Sequence, residues 1–363
     1  MARGFFAAPQ THMAQGDISC YAIFGYFNEY GGAQLNILIL GNESHFQDYL
    51  PDLPVTKQAN ILYRSRNTGD GDIIAAYPDT EVLVVDAMRA VPRALIHGLP
   101  KLKLIHCEGV GYDRIDLAAA RERGVFVCNT QGSNADAVAE QVIMLLLMLL
   151  RQAVYHHDAV WQGRFSSAEL AVLKQPHREL CDCTVGLVGF GDIAKSVARR
   201  LAPFGCRVVY HTPRRKAETV EREYGVTWLP LEDLAAVCDF VSLHCPATDD
   251  TFHLVDDGFL ARMKPTACLV NTARGGVVDT AALCRALVEG RLGGAALDTF
   301  ENEPSLAGNP ILDLPEPVRE RVILQPHIGG LTTRFFRLGH QYLWQNVARV
   351  TAGERPERVV NGL

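Results

Sequence analysis

Residues 184–215, TVGLVGFGDIAKSVARRLAPFGCRVVYHTPRR, decide the fold. The valine-rich run before Gly189-Phe190-Gly191 predicts a buried strand, the apolar spacing after it predicts a helix, and Arg207 to Tyr210 predicts a second strand. Glycines between a strand and a helix let a pyrophosphate approach the backbone and the positive helix N-terminus. Ala194 replaces the third glycine of the fingerprint, which tolerates alanine. The stretch therefore favours a dinucleotide-binding βαβ unit over an ordinary tight turn.

The end of the predicted second strand is basic rather than acidic. About twenty residues after Gly191, where NAD sites place Asp or Glu, the sequence reads HTPRRK over residues 211–216, and the first acid is Glu218. Arginine binds phosphate bidentately and is always charged, so His211, Thr212, Arg214 and Arg215 suit a 2′-phosphate. This favours NADP over NAD, with NAD still possible; the alternative is a solvated basic turn.

Composition bounds the class of protein. The 363 residues suffice for two domains, and 48% hydrophobic with 21% charged residues is ordinary for a globular protein. A net charge of −6 without a basic block gives no indication of nucleic acid or an anionic membrane as partner. The ten cysteines have no common metal-site spacing, so we expect no metal and a reduced, cytoplasmic protein. The N-terminus is a poor signal peptide, and the longest apolar run, 142–150, is too short to cross a bilayer.

Apolar strands alternate with helical patterns along the chain, which predicts α/β architecture with parallel sheets covered on both faces. Residues 1–34 show no sustained period and are predicted to form an N-terminal extension. Strands are then predicted at 36–40, 82–85, 102–106, 125–128, 240–243, 268–271, 294–297 and 322–324, besides the two named above. Helices are predicted at 44–50, 92–99, 116–123, 136–151, 231–237, 257–262, 281–289 and 332–351, with 161–174 as a looser stretch.

Polar residues follow several of these strands. Arg274, Glu303 and His327 each lie just beyond an apolar strand of the second half, so they should share one sheet edge with the glycine turn. An arginine can hold a carboxylate and polarise a ketone, and a histidine can donate a proton. A neighbouring carboxylate favours the protonated imidazole. Glu301 competes with Glu303 for that role, and each residue also has an ordinary structural interpretation.

These motifs resemble the D-isomer-specific 2-hydroxyacid dehydrogenase family. The matching runs are EGVGYDRID, AVAEQVIMLLLMLLR, VGLVGFGDIA, HCPATDDT, LVNTARGGVVD, AALDTFENEP and QPHIGG, and they cover about residues 36–363. The resemblance implies two doubly wound parallel-sheet domains, Rossmann-like and flavodoxin-like, with the cofactor domain (133–328) inserted into a discontinuous substrate domain (35–132 and 329–363). It also implies a homodimer, joined through the cofactor domain and the 136–151 helix.

The resemblance assigns roles by position. It implies Arg274, Glu303 and His327 as the catalytic trio and favours Glu303 over Glu301. It implies that Val110 and Gly111 offer backbone N–H groups to a substrate carboxylate beside Arg274. Further expected cofactor-binding positions are Gly189, Phe190, Gly191, Asp192, Ile193, Cys245, Pro246, Thr251, Thr272, Ala273, Asp298 and Gly330.

Three features depart from the family pattern: the basic turn after the second strand, the N-terminal extension, and Glu108. Glu108 precedes the glycine loop, and its carboxylate should turn away because it would otherwise repel a substrate carboxylate. The pattern as a whole predicts an oxidoreductase that passes a hydride between NAD(P)H and a small 2-keto acid, such as glyoxylate or hydroxypyruvate. The alternative from another class is a nucleotide-sensing, corepressor-like module with little turnover, because fold does not fix function.

Overall fold

The computed structural model describes residues 34–363, so the expected N-terminal extension lies almost wholly outside the described residues. The strands are β1 Asn36–Leu40, β2 Asn60–Arg64, β3 Val82–Val85, β4 Leu104–Cys107, β5 Phe126–Cys128, β6 Thr184–Val188, β7 Arg207–His211, β8 Val226–Trp228, β9 Phe240–Leu243, β10 Cys268–Asn271, β11 Gly294–Leu297 and β12 Val322–Leu324. The helices are α1 Glu43–Asp48, α2 Pro54–Gln58, α3 Asp70–Ala76, α4 Arg93–Gly98, α5 Leu117–Glu122, α6 Ala135–Leu150, α7 Ala153–Trp161, α8 Phe165–Lys174, α9 Asp192–Leu201, α10 Glu218–Tyr224, α11 Leu231–Val237, α12 Asp257–Arg262, α13 Thr280–Val288, α14 Glu316–Arg319 and α15 Thr333–Thr351.

The first sheet has five parallel strands in the order β2-β1-β3-β4-β5, which is the flavodoxin-like arrangement. Alternate residues of β1 point to opposite faces. Leu38 and Leu40 pack with α3, α4 and α5, whereas Ile37 and Ile39 pack with α1, α2 and α15. The strands are therefore apolar on both faces, as expected of a parallel sheet buried between two helical layers.

The second sheet has seven parallel strands in the order β12-β11-β10-β9-β6-β7-β8. The six strands from β8 to β11 follow the Rossmann order, with the switch between β6 and β9, and β12 extends the sheet beyond β11. One face packs against α6 and α9, and the other packs against α11, α12 and α13. The predicted fold class of two doubly wound parallel-sheet domains is confirmed.

The last helix returns to the first sheet. Leu343, Trp344 and Val347 of α15 are fully buried in the same cluster as β1 and β3. Beyond α15 the chain pairs with β5, where the Val360 N–H donates to the Val127 carbonyl at 2.8 Å. Both ends of the described chain thus build the first domain, and the second domain is inserted between them.

The sequence-based element assignments were wrong in several places. Residues 161–174, expected to be loose, form the end of α7 and all of α8, and the strand predicted at 102–106 occupies 104–107. The helices α2, α3 and α10 and the strands β2 and β8 were not predicted. Both missed strands lie at sheet edges. An edge strand is only half covered and therefore lacks the continuous apolar run that marked the central strands.

Within residues 34–363, no single helix is both long and apolar enough to cross a membrane. Only α6 and α7 taken together would pass by length and composition, and they are bent by 62° at their junction.

Candidate active site

The candidate site lies at the carboxyl edge of the second sheet, facing the first domain. Because all strands run parallel, the turns after β6, β9, β10, β11 and β12 gather at one edge. These turns carry Gly189, Cys245, Arg274, Glu303 and His327. The five residues therefore lie at one edge of the sheet, as the strand pattern predicted.

Gly189 is required by backbone geometry. Its φ is +92°, and a Cβ there would lie 2.7 Å from backbone atoms of His244 and Cys245. Gly191 differs, since a Cβ at that position would meet no heavy atom within 4 Å. Gly191 is also the N-cap of α9 and makes no side-chain capping bond, so its turn offers backbone N–H groups to an anion.

Several polar atoms nearby fit a bound dinucleotide. Among the described residues, the hydroxyls of Thr272 and Thr299 and Nδ1 of His244 are buried without a hydrogen-bond partner. A buried polar atom without a partner is costly, and a polar ligand would satisfy it. Burial lowers the pKa of His244 to about 3, so its imidazole is neutral. The Phe190 side chain packs in the core against Tyr210, with ring centroids 4.5 Å apart, so a contact of this residue with the cofactor would be made by its backbone.

The basic turn after β7 contains two unlike arginines. Arg215 donates to the buried Glu221 carboxylate through Nε at 2.8 Å and Nη2 at 2.7 Å. This hydrogen bond and the opposite charge hold the pKa of Glu221 below its usual value, although its burial opposes the shift. Within residues 34–363, the exposed Arg214 side chain has no ion pair. The two arginines look equivalent in the sequence, and no local pattern predicts the carboxylate partner of Arg215, which lies six residues on.

His327 and Glu303 form a close pair. The Nδ1 atom of His327 lies 2.6 Å from Oε2 of Glu303, while Oε1 accepts the Phe300 N–H at 2.6 Å. His327 has a φ of +56°, a left-handed conformation that histidine adopts more readily than most residues. Glu301, the competing candidate, instead contacts Nε2 of His253 at 2.7 Å. The structure therefore brings Glu303, and not Glu301, to His327.

Two carboxyl groups at this edge have opposite pKa shifts. Burial alone would raise the pKa of Glu303, but the hydrogen bond to His327, the Phe300 N–H and two nearby cations hold it below its usual value. Burial raises the pKa of Asp298, even though its oxygens accept the N–H groups of Ile328 and Gly329 at 2.9 Å. Asp298 thereby fixes the backbone directly after His327.

Arg274 reaches across to the first domain. Its Nε donates to Oδ2 of Asp113 at 2.9 Å, and its Nη1 donates to its neighbour's carbonyl at 2.8 Å. A Cβ on Gly111 would lie only 2.6 Å from Nη2, so glycine permits the guanidinium to approach the loop backbone. The Val110 carbonyl is held by the Asn129 amide at 2.8 Å. The structure thus brings Val110, Gly111 and Arg274 together.

Glu108 is bound by two histidines. Its Oε1 lies 2.8 Å from Nε2 of His45 and 2.8 Å from Nε2 of His340, and the residue is buried. This agrees with the expectation that its carboxylate turns away from the glycine loop. Two imidazoles and a carboxylate are groups that bind metal ions, but both nitrogen–oxygen distances are typical of N–H groups that donate to one carboxylate oxygen. A metal-bound imidazole usually donates its other N–H to a protein group, whereas Nδ1 of His340 is buried without a partner in the described chain. These observations favour a hydrogen-bonded cluster over a metal site.

The remaining expected cofactor positions lie on the same edge. Thr251 donates to the Pro246 carbonyl at 2.7 Å and closes the turn after β9. Gly330 lies against the Asn134 side chain, at the start of α6.

Three residues that contact the catalytic candidates or their neighbours were not predicted from the sequence: Asp113, Arg114 and His253. Their partners are Arg274, Glu303 and Glu301, which are all distant in the chain.

The chain resembles known proteins over most of its length. Residues 143–329 match the NAD-binding domain of D-isomer specific 2-hydroxyacid dehydrogenases. A glyoxylate reductase of Korarchaeum cryptofilum is 37% identical over 289 residues, which is 80% of this chain and 85% of that protein.

Two solved structures cover almost the whole fold. The NADPH-dependent glyoxylate/hydroxypyruvate reductase of Sinorhizobium meliloti, in complex with NADP and malonate, is 27% identical with a TM-score of 0.74, covering 90% of this chain and 97% of that one. The D-lactate dehydrogenase of Aquifex aeolicus, complexed with NAD and lactic acid, is 26% identical with a TM-score of 0.75, covering 88% and 96%. This chain therefore belongs to the D-isomer-specific 2-hydroxyacid dehydrogenase family and is an NAD(P)-dependent oxidoreductase that transfers a hydride between the cofactor and 2-keto or 2-hydroxy acids.

Proposed function

We propose that the protein reduces a small 2-keto acid, glyoxylate or hydroxypyruvate in the first instance, with NADPH as the preferred cofactor. The observation that carries this proposal is the His327–Glu303 pair at 2.6 Å on the same sheet edge as the glycine turn. Arg274 lies beside it, against Gly111. The relatives named glyoxylate reductase support the substrate class.

Each charged residue has one role in the proposed reaction. The substrate carboxylate lies between the backbone N–H groups of Val110 and Gly111 and the Nη2 edge of Arg274, which also stabilises charge on the keto oxygen. Glu303 holds Nδ1 of His327, so Nε2 of the imidazolium remains to donate a proton to that oxygen. The bound cofactor supplies the hydride that the keto carbon receives.

The residues around the glycine turn fit that cofactor. Gly191 and the N-terminus of α9 would hold the pyrophosphate, and Thr272 and Asp298 would line the nicotinamide half. Arg214, with Thr212 and His211 beside it, would bind a 2′-phosphate. One structural relative was solved with NADP and another with NAD, and the unpaired Arg214 in the described chain is the reason for preferring NADP.

We also propose a homodimer and the domain limits 35–132 with 329–363 and 133–328. Large apolar side chains are exposed on α7 and α8, among them Trp161, Phe165 and Leu173. Exposed large apolar side chains on consecutive helices are typical of an interface, and α7 and α8 directly follow α6, the helix expected to join two copies.

A substrate panel separates this function from the alternative of a nucleotide-sensing module. NADPH and NADH oxidation are followed with glyoxylate, hydroxypyruvate, pyruvate and phenylpyruvate, and binding of each cofactor is measured in parallel. Turnover of the two smallest acids with NADPH supports the reductase. Tight cofactor binding with no oxidation of NADPH or NADH in the presence of any of the acids supports the module. In that case the protein would share the fold of the reductases but not their activity.

A further inference from the structure

Asp113 holds the guanidinium of Arg274 from the opposite domain. Asp113 lies two residues beyond Gly111, in the loop after β4, whereas Arg274 follows β10. The Asp113 Oδ2 accepts the Arg274 Nε–H at 2.9 Å, and the Ala273 carbonyl accepts from Nη1 at 2.8 Å. These two contacts fix the plane and rotation of the guanidinium, leaving its Nη2 edge beside Gly111.

The next residue makes a second contact between the domains. Arg114 donates from Nη2 to the Glu303 carbonyl at 2.8 Å and from Nη1 to the Met88 carbonyl at 3.3 Å. Two consecutive residues of the first domain therefore contact two of the three residues assigned to catalysis in the second. Neither contact occupies the groups assigned to the reaction, which are Nη2 of Arg274 and the Glu303 carboxylate that pairs with His327.

The exposure of this pair indicates what it contributes. The side chains of Arg274 and Asp113 are 33% and 44% exposed, so solvent screens their attraction and the pair adds little to folding stability. A fixed orientation matters more, because a small misplacement of a binding group lowers catalytic rate steeply. An arginine held at Nε presents its remaining N–H groups as a rigid fork to a carboxylate.

We propose that Asp113 is a positioning residue, which orients Arg274 toward the substrate carboxylate when the two domains meet, with Arg114 aligning the Glu303 backbone beside it. This inference rests on the proposed function, because it assumes a substrate carboxylate at the Nη2 edge. It assigns Asp113 no contact with the substrate and no proton transfer.

A double-mutant cycle tests whether Asp113 acts through Arg274. Asp113→Ala and Arg274→Lys are made singly and together, and kcat and KM for glyoxylate are measured along with the affinity of the NADPH-loaded enzyme for oxamate, a 2-keto acid isostere. We expect Asp113→Ala, which removes the acceptor oxygen, to lower kcat/KM by about 10- to 100-fold and to weaken oxamate binding, with NADPH affinity unchanged. In the Arg274→Lys background, the same change should alter oxamate affinity less than about twofold, because lysine has no Nε–H to be held.

A matched control and the two modes of failure complete the test. Glu122→Ala removes the carboxylate of another exposed arginine pair in the first domain, with Arg93, and should leave all constants unchanged. Equal losses from Asp113→Ala in both backgrounds, or no loss in either, would overturn the positioning role. Failure of the proposed function is distinct, because the unmodified enzyme would then oxidise NADPH with none of the acids.

Discussion

The substitution Glu303→Gln removes one negative charge from the pair with His327 and nearly keeps the side-chain volume. In the unmodified protein the carboxylate lies 2.6 Å from Nδ1, and its side chain is 15% exposed. A hydrogen bond to a charged partner contributes about 1 kcal/mol more than a neutral one. Solvent screens part of the attraction because the imidazole is 39% exposed, so a full Coulomb energy does not apply. At 1.36 kcal/mol per tenfold change in rate, the lost charge corresponds to a fall of about fivefold in kcat/KM.

The assay is the pH dependence of kcat/KM for glyoxylate reduction with NADPH. Reduction requires a proton on the imidazole, and a neutral amide favours that protonated form less than a carboxylate does. The ratio of unmodified to variant activity should therefore be smallest at acidic pH, where protons are abundant, and rise to about fivefold at alkaline pH.

Glu301→Gln is the matched control, because Glu301 forms a similar pair with His253 two residues away in the chain. Its pH profile should coincide with that of the unmodified protein. A ratio for Glu303→Gln that stays constant across the pH range would refute the reasoning, since a purely structural defect lowers activity uniformly. If Glu301→Gln changed the pH dependence of the ratio by the same amount, the role would have been assigned to the wrong acid.

Further substitutions test the cofactor site and the interface. Gly189→Ala should lower the free energy of unfolding by more than about 2 kcal/mol, read as a fall in Tm, because its φ of +92° and the close backbone disfavour a Cβ. Gly191→Ala should leave Tm unchanged but weaken NADPH binding. An equal fall in Tm for the Gly189 and Gly191 variants would contradict the different roles of the two glycines. Arg214→Ala should weaken NADPH binding at least about tenfold more than NADH binding. Arg215→Ala should affect the two cofactors more equally, because the Arg215 guanidinium is held by the Glu221 carboxylate. Equal effects of the two substitutions would show that the turn does not distinguish the cofactors in this way. Trp161→Glu should convert the proposed dimer to a monomer in light scattering, and an unchanged mass would place the interface elsewhere.

Local signals predicted the central features of this protein. The β6–α9–β7 unit was predicted because a strand, a glycine turn and a helix follow one another without interruption. Arg274, Glu303 and His327 were grouped because parallel strands bring their carboxyl ends to one edge. Their placement together on that edge therefore depends on topology, which the alternation of strands and helices already indicates.

Features that depend on side-chain partners distant in the chain were not predicted. Asp113 and Arg274 are 161 positions apart, and no local pattern joins them. Arg215 and Glu221 are close in sequence, but only the structure shows that Glu221 is buried in the middle of α10 and accepts from the arginine. The residue types alone left Glu301 and Glu303 as alternatives, and only the family resemblance favoured Glu303; in the structure each acid contacts its own histidine, Glu301 with His253 and Glu303 with His327.

The most direct test of the proposed mechanism is single-turnover oxidation of enzyme-bound NADPH by saturating glyoxylate, compared between the unmodified protein and His327→Ala. A positioned general acid contributes about 10²- to 10⁴-fold, so the variant should bind NADPH normally and oxidise it slower by that factor. A variant that binds NADPH normally and oxidises it within about threefold of the unmodified rate would contradict the assignment of His327 as the proton donor.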